Sequence, residues 1–125
     1  MTVARRRTGQ IAEDLVAEYL VDENWEIVER NARTRYGELD IVARDGGVLV
    51  FIEVKGARVD TDYGPERPIC SIDFRKQRRV RRLATAWMSE RRDQPGYEDI
   101  RFDAVGVILD AGGRPLDVEH LEGAF

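Results

Sequence analysis

The spacing of apolar residues along the chain changes several times, and each change marks an element. At 100° per residue, Ile11, Ala12, Leu15, Val16, Tyr19 and Leu20 share one half of a helical wheel. This predicts a helix over roughly 9–23, with Thr8 as its cap. Residues 25–31 alternate as a strand near a sheet edge does, and 32–36 read as a polar connection. Two apolar runs, 39–43 and 48–54, flank Asp45-Gly46-Gly47, the mark of a β-hairpin. Residues 56–71 hold Gly56, Gly64, Pro65 and Pro68 with little periodicity and read as a long loop carrying Arg58, Asp60, Asp62 and Tyr63. Loops of that length often carry function. A second helix is predicted over 72–92, capped by Ser71 or Asp73. After a loop at 93–99, the nearly continuous apolar run 101–109 predicts a central strand. Asp110–Arg114 is a turn, and 115–121 a last short strand. The order α-β-β-β-α-β-β predicts one α/β domain over 1–125, a central mixed sheet flanked by helices.

Charges inside the hairpin complicate this picture. Asp40 interrupts the first apolar run, and Glu53 and Lys55 end the second. A two-residue Gly46-Gly47 turn pairs Asp45 with Val48, which sets Asp40 opposite Glu53 and Glu38 opposite Lys55. A three-residue loop instead sets Asp40 opposite Ile52 and parts the carboxylates. Like charges facing each other destabilise a sheet, so the first register calls for a cation between them. Period-two geometry keeps Glu53 and Lys55 on one face and turns Val54 away.

The second helix is divided as well. With Val80 at 0°, Leu83, Ala84, Trp87 and Met88 gather around it, whereas Arg75, Arg78, Arg79 and Arg82 lie between about 160° and 260°. Lys76 and Gln77 fall on the apolar side, where polar groups suit a cleft better than a core. In the first helix, Asp14 and Glu18 face outward and Glu13 sits at the margin of the stripe. An acid in a first turn also suits the helix dipole.

Bulk composition narrows the chemistry. With 42% hydrophobic and 35% charged residues the chain is of globular type, and no apolar run approaches the ~20 residues of a membrane span. The basic start, Arg5–Arg7, has no apolar stretch behind it and is not expected to be a secretory signal. A single cysteine, Cys70, fits a reducing cytoplasm. One cysteine and one histidine, His120, cannot make a Cys/His zinc site, so any metal is expected to be Mg²⁺ or Mn²⁺ on oxygen ligands. Net charge is −4, yet six of the eight residues 75–82 are basic, a local surface suited to phosphates. Asp40, Glu53 and Lys55 meet the needs of phosphodiester hydrolysis: carboxylates for a metal, and a lysine to orient water and steady the charge on phosphorus. An ion pair closing the hairpin is the structural alternative.

Gly37-Glu-Leu-Asp-Ile-Val with Phe51-Ile-Glu-Val-Lys resembles the PD-(D/E)XK nuclease superfamily. More closely, the chain resembles the bacterial YraN family, also called UPF0102. That likeness runs through Ala12-Glu-Asp-Leu-Val-Ala-Glu-Tyr-Leu, Arg75-Lys-Gln-Arg-Arg, Arg101-Phe-Asp and the closing Ala124-Phe125. The resemblance implies a restriction-endonuclease-like fold, similar in layout to archaeal Holliday-junction resolvases. It implies Asp40 and Glu53 as metal ligands and Lys55 as the catalytic lysine, with Glu13 and Gln77 joining the site. The expected substrate is DNA, branched or structured forms included, with Arg75, Lys76, Arg78, Arg79 and Arg82 as phosphate contacts. Action on two symmetric strands would require a homodimer. The rival readings are a nucleic-acid-binding module without cleavage and a protein-docking face on 72–92. Two departures stand out. Ala12 occupies a position where the family usually has glycine, and Gly56-Ala57-Arg58 follows the lysine where Thr-Arg is common.

Overall fold

The computed structural model describes residues 3–59 and 68–125. The expected loop residues Asp60, Asp62, Tyr63, Gly64 and Pro65 lie outside the described residues, as does the Arg5 side chain. The elements are α1 (Val3–Asp22), β1 (Glu26–Thr34), β2 (Gly37–Asp45), β3 (Val48–Arg58), α2 (Phe74–Glu90), β4 (Asp99–Leu109) and β5 (Pro115–Leu121), with a 3₁₀ turn at Pro68–Ser71. This is the predicted order. The strands form one sheet, β1-β2-β3-β4-β5. β1, β2 and β3 are an antiparallel meander, β3 and β4 are parallel across the α2 crossover, and β5 returns antiparallel along the edge.

Strand alternation assigns the two faces. Val50 and Ile52 join Ala12, Val16, Ala17 and Leu20 of α1 in one core. Leu49 and Phe51 join Val80, Leu83, Ala84 and Trp87 of α2 in the other. Both predicted apolar stripes are therefore the buried ones, and the sheet is covered on both faces. Burial of Ala17 widens the α1 stripe past Glu13, which leaves that acid only 8% exposed.

Several boundaries differ from expectation. Helix α1 starts at Val3, so Thr8 is an interior residue, 2% exposed, and not a cap. The residues before it contain no proline or glycine to stop the helix. The connection expected over 32–36 shrinks to Arg35-Tyr36, because Ala32 and Thr34 pair with Leu39 and Gly37. The Thr34 hydroxyl secures that turn, donating to the Gly37 carbonyl at 2.8 Å and accepting from the Tyr36 N–H at 3.1 Å. At the start of the expected 56–71 loop, β3 continues to Arg58, since Gly56, Ala57 and Arg58 pair with Val107, Ile108 and Leu109. Asp73 is the cap of α2, its side chain accepting from the Lys76 N–H at 3.0 Å.

Candidate active site

The hairpin has the two-residue turn, with Asp45 paired to Val48, and the ladder runs to Ile41–Ile52. It ends there, one step before Asp40 and Glu53 would be opposed. Val54 donates its N–H to Asp40 Oδ2 at 2.9 Å, so the carboxylate takes the place of a strand carbonyl. The expected Glu38–Lys55 opposition is not made. Glu38 pairs with Arg33 of β1, and Lys55 with Gly106 of β4. Leu39 and Val42, three residues apart, both enter the α2 core, so strict alternation fails around Asp40. Across from Asp40 on β1, Asn31 has φ 49°, a second sign of local distortion. The two strands thus part where the two acids sit.

Both acids are half-buried and electrostatically linked. Burial raises the Asp40 carboxyl to about 6, against the pull of the Val54 N–H, with Glu13 and Glu38 pushing the same way as burial. Burial and then Asp40 itself raise Glu53 to about 8, opposed by Arg79, Lys76 and Lys55. Two carboxylates that resist ionising together form a place for a cation. Such a donor set fits a hard divalent ion, which commonly takes one or two carboxylates and keeps waters for the rest of its shell. Among the described residues no group of three or more His, Cys, Asp or Glu closes on a metal position.

Of the other predicted residues, Lys55, Glu13, Lys76 and Arg79 act electrostatically on this pair. Lys55 is exposed and close enough to act on Glu53. Glu13 is held by Arg30 Nη2 at 3.3 Å and by Asn31; burial raises its own carboxyl, and its charge reaches Asp40. Lys76 and Gln77 fold back onto the helix entry, donating to the Ser71 carbonyl at 2.9 Å and the Ile72 carbonyl at 3.2 Å. Arg79 is exposed, as its outward place predicts, but at about 260° on the wheel it lies on the flank, and its charge acts on both Asp40 and Glu53. Room for it comes from Gly37, where a Cβ would stand 3.2 Å from Arg79 Nη2; the φ of +141° at Gly37 also favours glycine. Arg75, Arg78 and Arg82 stay exposed on α2.

With this geometry in place, comparison with known proteins is informative. Residues 12–107 match the uncharacterised protein family UPF0102. A UPF0102 protein of Moorella thermoacetica is 43% identical over 125 residues, 100% of each chain. One from Nocardia farcinica is 42% identical over 97% of this chain and 91% of its own, and one from Dictyoglomus turgidum 36% over 96% and 98%. The chain belongs to the UPF0102 family. Both departures from the UPF0102 pattern noted in the sequence touch each other, since a Cβ on Gly56 would stand 2.7 Å from the Ala12 Cβ.

Sequence reasoning overlooked two features of this UPF0102 chain. Tyr36 stands at the β1–β2 turn, 47% exposed, with Arg82 over its ring at 4.1 Å and Arg35 at 5.1 Å. Its place in an expected polar connection hid it. The second is a buried network on the α1 face. Asp103 is fully buried and accepts from Arg101 at 2.8 and 3.0 Å and from the Gly123 N–H at 3.0 Å, with His120 Nε2 at 2.8 Å. His120 Nδ1 meets the Tyr19 hydroxyl at 3.0 Å. The Arg101-Phe-Asp motif therefore ties α1, β4 and β5 together. Among the described residues no helix is long and apolar enough to cross a membrane.

Proposed function

We propose that this UPF0102 chain is a metal-dependent endonuclease of the PD-(D/E)XK type, hydrolysing phosphodiester bonds in DNA. The observation that carries the reading is the parting of the hairpin beside Asp40 and Glu53, two half-buried carboxylates, the Asp40 charge adding to burial in pushing the Glu53 carboxyl up. Asp40 and Glu53 would hold Mg²⁺ or Mn²⁺, which when bound supplies an activated water and neutralises charge on the phosphate. Asp40 is pre-set by the Val54 N–H, so its orientation does not depend on the substrate. Lys55, on the same strand face as Glu53, orients the attacking water and steadies charge on the phosphate oxygens. Arg79 approaches from the facing helix and offers a second cation to that phosphate. Glu13 keeps the local charge negative on the α1 side, held in place by Arg30.

Purified protein is incubated with linear, flap and four-way-junction DNA in Mg²⁺ or Mn²⁺, alongside Asp40→Ala, Glu53→Ala and Lys55→Ala. Cutting is expected in the wild type, and a loss of at least about 100-fold in each variant. Equal background cutting by all four proteins defeats the reading. In that case the six cations of α2 would leave a binding module without cleavage. Paired cuts on opposite strands of a junction would require a second copy of the chain, which sedimentation on junction DNA measures.

A further inference from the structure

Phe74, Arg78 and Arg82 follow each other at intervals of four on α2 and so form one row along its outer side. The row is unusual for a solvated helix face. Phe74 is 71% exposed and belongs to neither sheet-facing core, and Arg78 lies over its ring at 5.9 Å. At the far end Arg82 and Arg35 cover the ring of Tyr36, itself 47% exposed. The sequence along the surface is therefore aromatic, arginine, arginine, aromatic, and the helix part spans ~12 Å. The row approaches the carboxylate pair at its Tyr36 end. Tyr36 precedes Gly37, against which Arg79 lies, and Arg79 acts on Glu53; Phe74, half a turn from Lys76, is the end farther round the helix.

Charge on this face has one sign. No acid occurs between Phe74 and Ser89. Arg75, Arg78 and Arg82 make no ion pair with any carboxylate among the described residues. Such guanidinium groups suit phosphates, but the aromatic rings need another explanation. Bases inside a duplex already stack on each other and present only their edges, so an exposed ring gains nothing from them. Unpaired bases have free faces, and basic tracks with exposed aromatics are the usual means of holding them. Arginines already laid over the rings also lose little freedom when a phosphate arrives.

Resting on the reading of the site as a DNA nuclease, we propose that the Phe74–Arg78–Arg82–Tyr36 row holds an unpaired strand at the entrance to the carboxylate pair. The favoured substrate is then DNA with a single-stranded segment, such as a flap or fork, in preference to intact duplex.

The test separates binding from cutting. In EDTA, which prevents metal-dependent cleavage, the full-length protein is titrated by fluorescence anisotropy with labelled oligo(dT), an abasic strand of equal length, and a blunt duplex. Oligo(dT) is expected to bind at least about tenfold tighter than either. Phe74→Ala and Tyr36→Ala should each weaken oligo(dT) about fivefold or more and leave the duplex unchanged, while Tyr36→Phe keeps the affinity. Phe74 is too exposed for its loss to unfold the chain. Equal affinity for base-bearing and abasic strands, or no effect of either alanine variant, overturns the proposal. A metal-dependent cutter indifferent to unpaired bases likewise refutes the row while leaving the nuclease reading intact. Base-dependent binding without any cutting refutes the nuclease reading and supports the row.

Discussion

Gly56 stands directly after the proposed catalytic lysine, where α1 crosses β3, and its replacement tests how tightly the site is tied to that crossing. A Cβ at position 56 would lie 2.7 Å from the Ala12 Cβ and 3.2 Å from the Thr8 carbonyl oxygen. Non-bonded carbons rest about 3.5–4.0 Å apart, so Gly56→Ala must move helix and strand apart by about 1 Å or bend the chain at Lys55. Overpacking of this kind costs about 1–3 kcal/mol. Ala12→Gly removes the opposing carbon but places glycine inside a helix, at a cost of about 1 kcal/mol. In the double variant the helix cost is offset by the roughly 0.5–1 kcal/mol that alanine gains over glycine within a strand. Only the contact with the Thr8 carbonyl then remains. Stability of the double variant is expected within about 1 kcal/mol of wild type, with a coupling of about 1–3 kcal/mol between the positions. Urea unfolding of the four proteins of the cycle measures it. Strict additivity of the two single changes would refute the packing argument. Cleavage should fall in Gly56→Ala, because Lys55 moves with its neighbour, and return in the double variant.

Other outcomes follow from the charges. Asp40 and Glu53 titrate near 6 and 8 in the folded chain, above the ~4 of unfolded carboxylates, so the folded state binds more protons between those limits. Stability of the metal-free protein should therefore fall as pH rises from about 4 to 8. Mg²⁺ should raise the melting temperature more at pH 8 than at pH 5, and scanning calorimetry with and without EDTA reads both. Glu53→Gln should stabilise the metal-free protein at pH 8 by ~1 kcal/mol or more while abolishing cleavage; a destabilised variant would mean that the Asp40–Glu53 repulsion has been misread. The Asp103 carboxyl behaves in the opposite sense. Burial pushes it up, but hydrogen bonds from His120, Arg101 and the Gly123 N–H outweigh burial and hold it below its usual value. Its contribution is complete above about pH 4 and lost as pH falls through the lowered value. Asp103→Asn should cost about 1.5–3 kcal/mol at neutral pH, as chemical denaturation would show, because Arg101 loses its two short bonds and keeps only the longer contacts to Asp45 at 3.9 Å and Glu122 at 3.7 Å.

Much of the molecule could be read in one dimension. Both helix stripes, the order of elements and the hairpin register rest on local periodicity and on turn residues such as Gly46-Gly47, and these act over a few residues. The two-residue turn fixes the register as far as Ile41–Ile52, one step short of Asp40 and Glu53, where the ladder stops. Tertiary contacts decided the rest. Glu13 is buried because Ala17 carries the α1 stripe past it, and Arg30 of β1 then holds it. Arg79 acts on Glu53 from the facing helix and lies against Gly37 of β2, a meeting that no local pattern records. Ala12 and Gly56 look like separate irregularities until the α1–β3 crossing brings them into contact. Tyr36 and the Asp103 network likewise draw their partners from elements far apart in the chain. A pattern along a chain records which face of an element is apolar, whereas these contacts depend on where two faces cross, and that is set only when the whole sheet and both helices pack together.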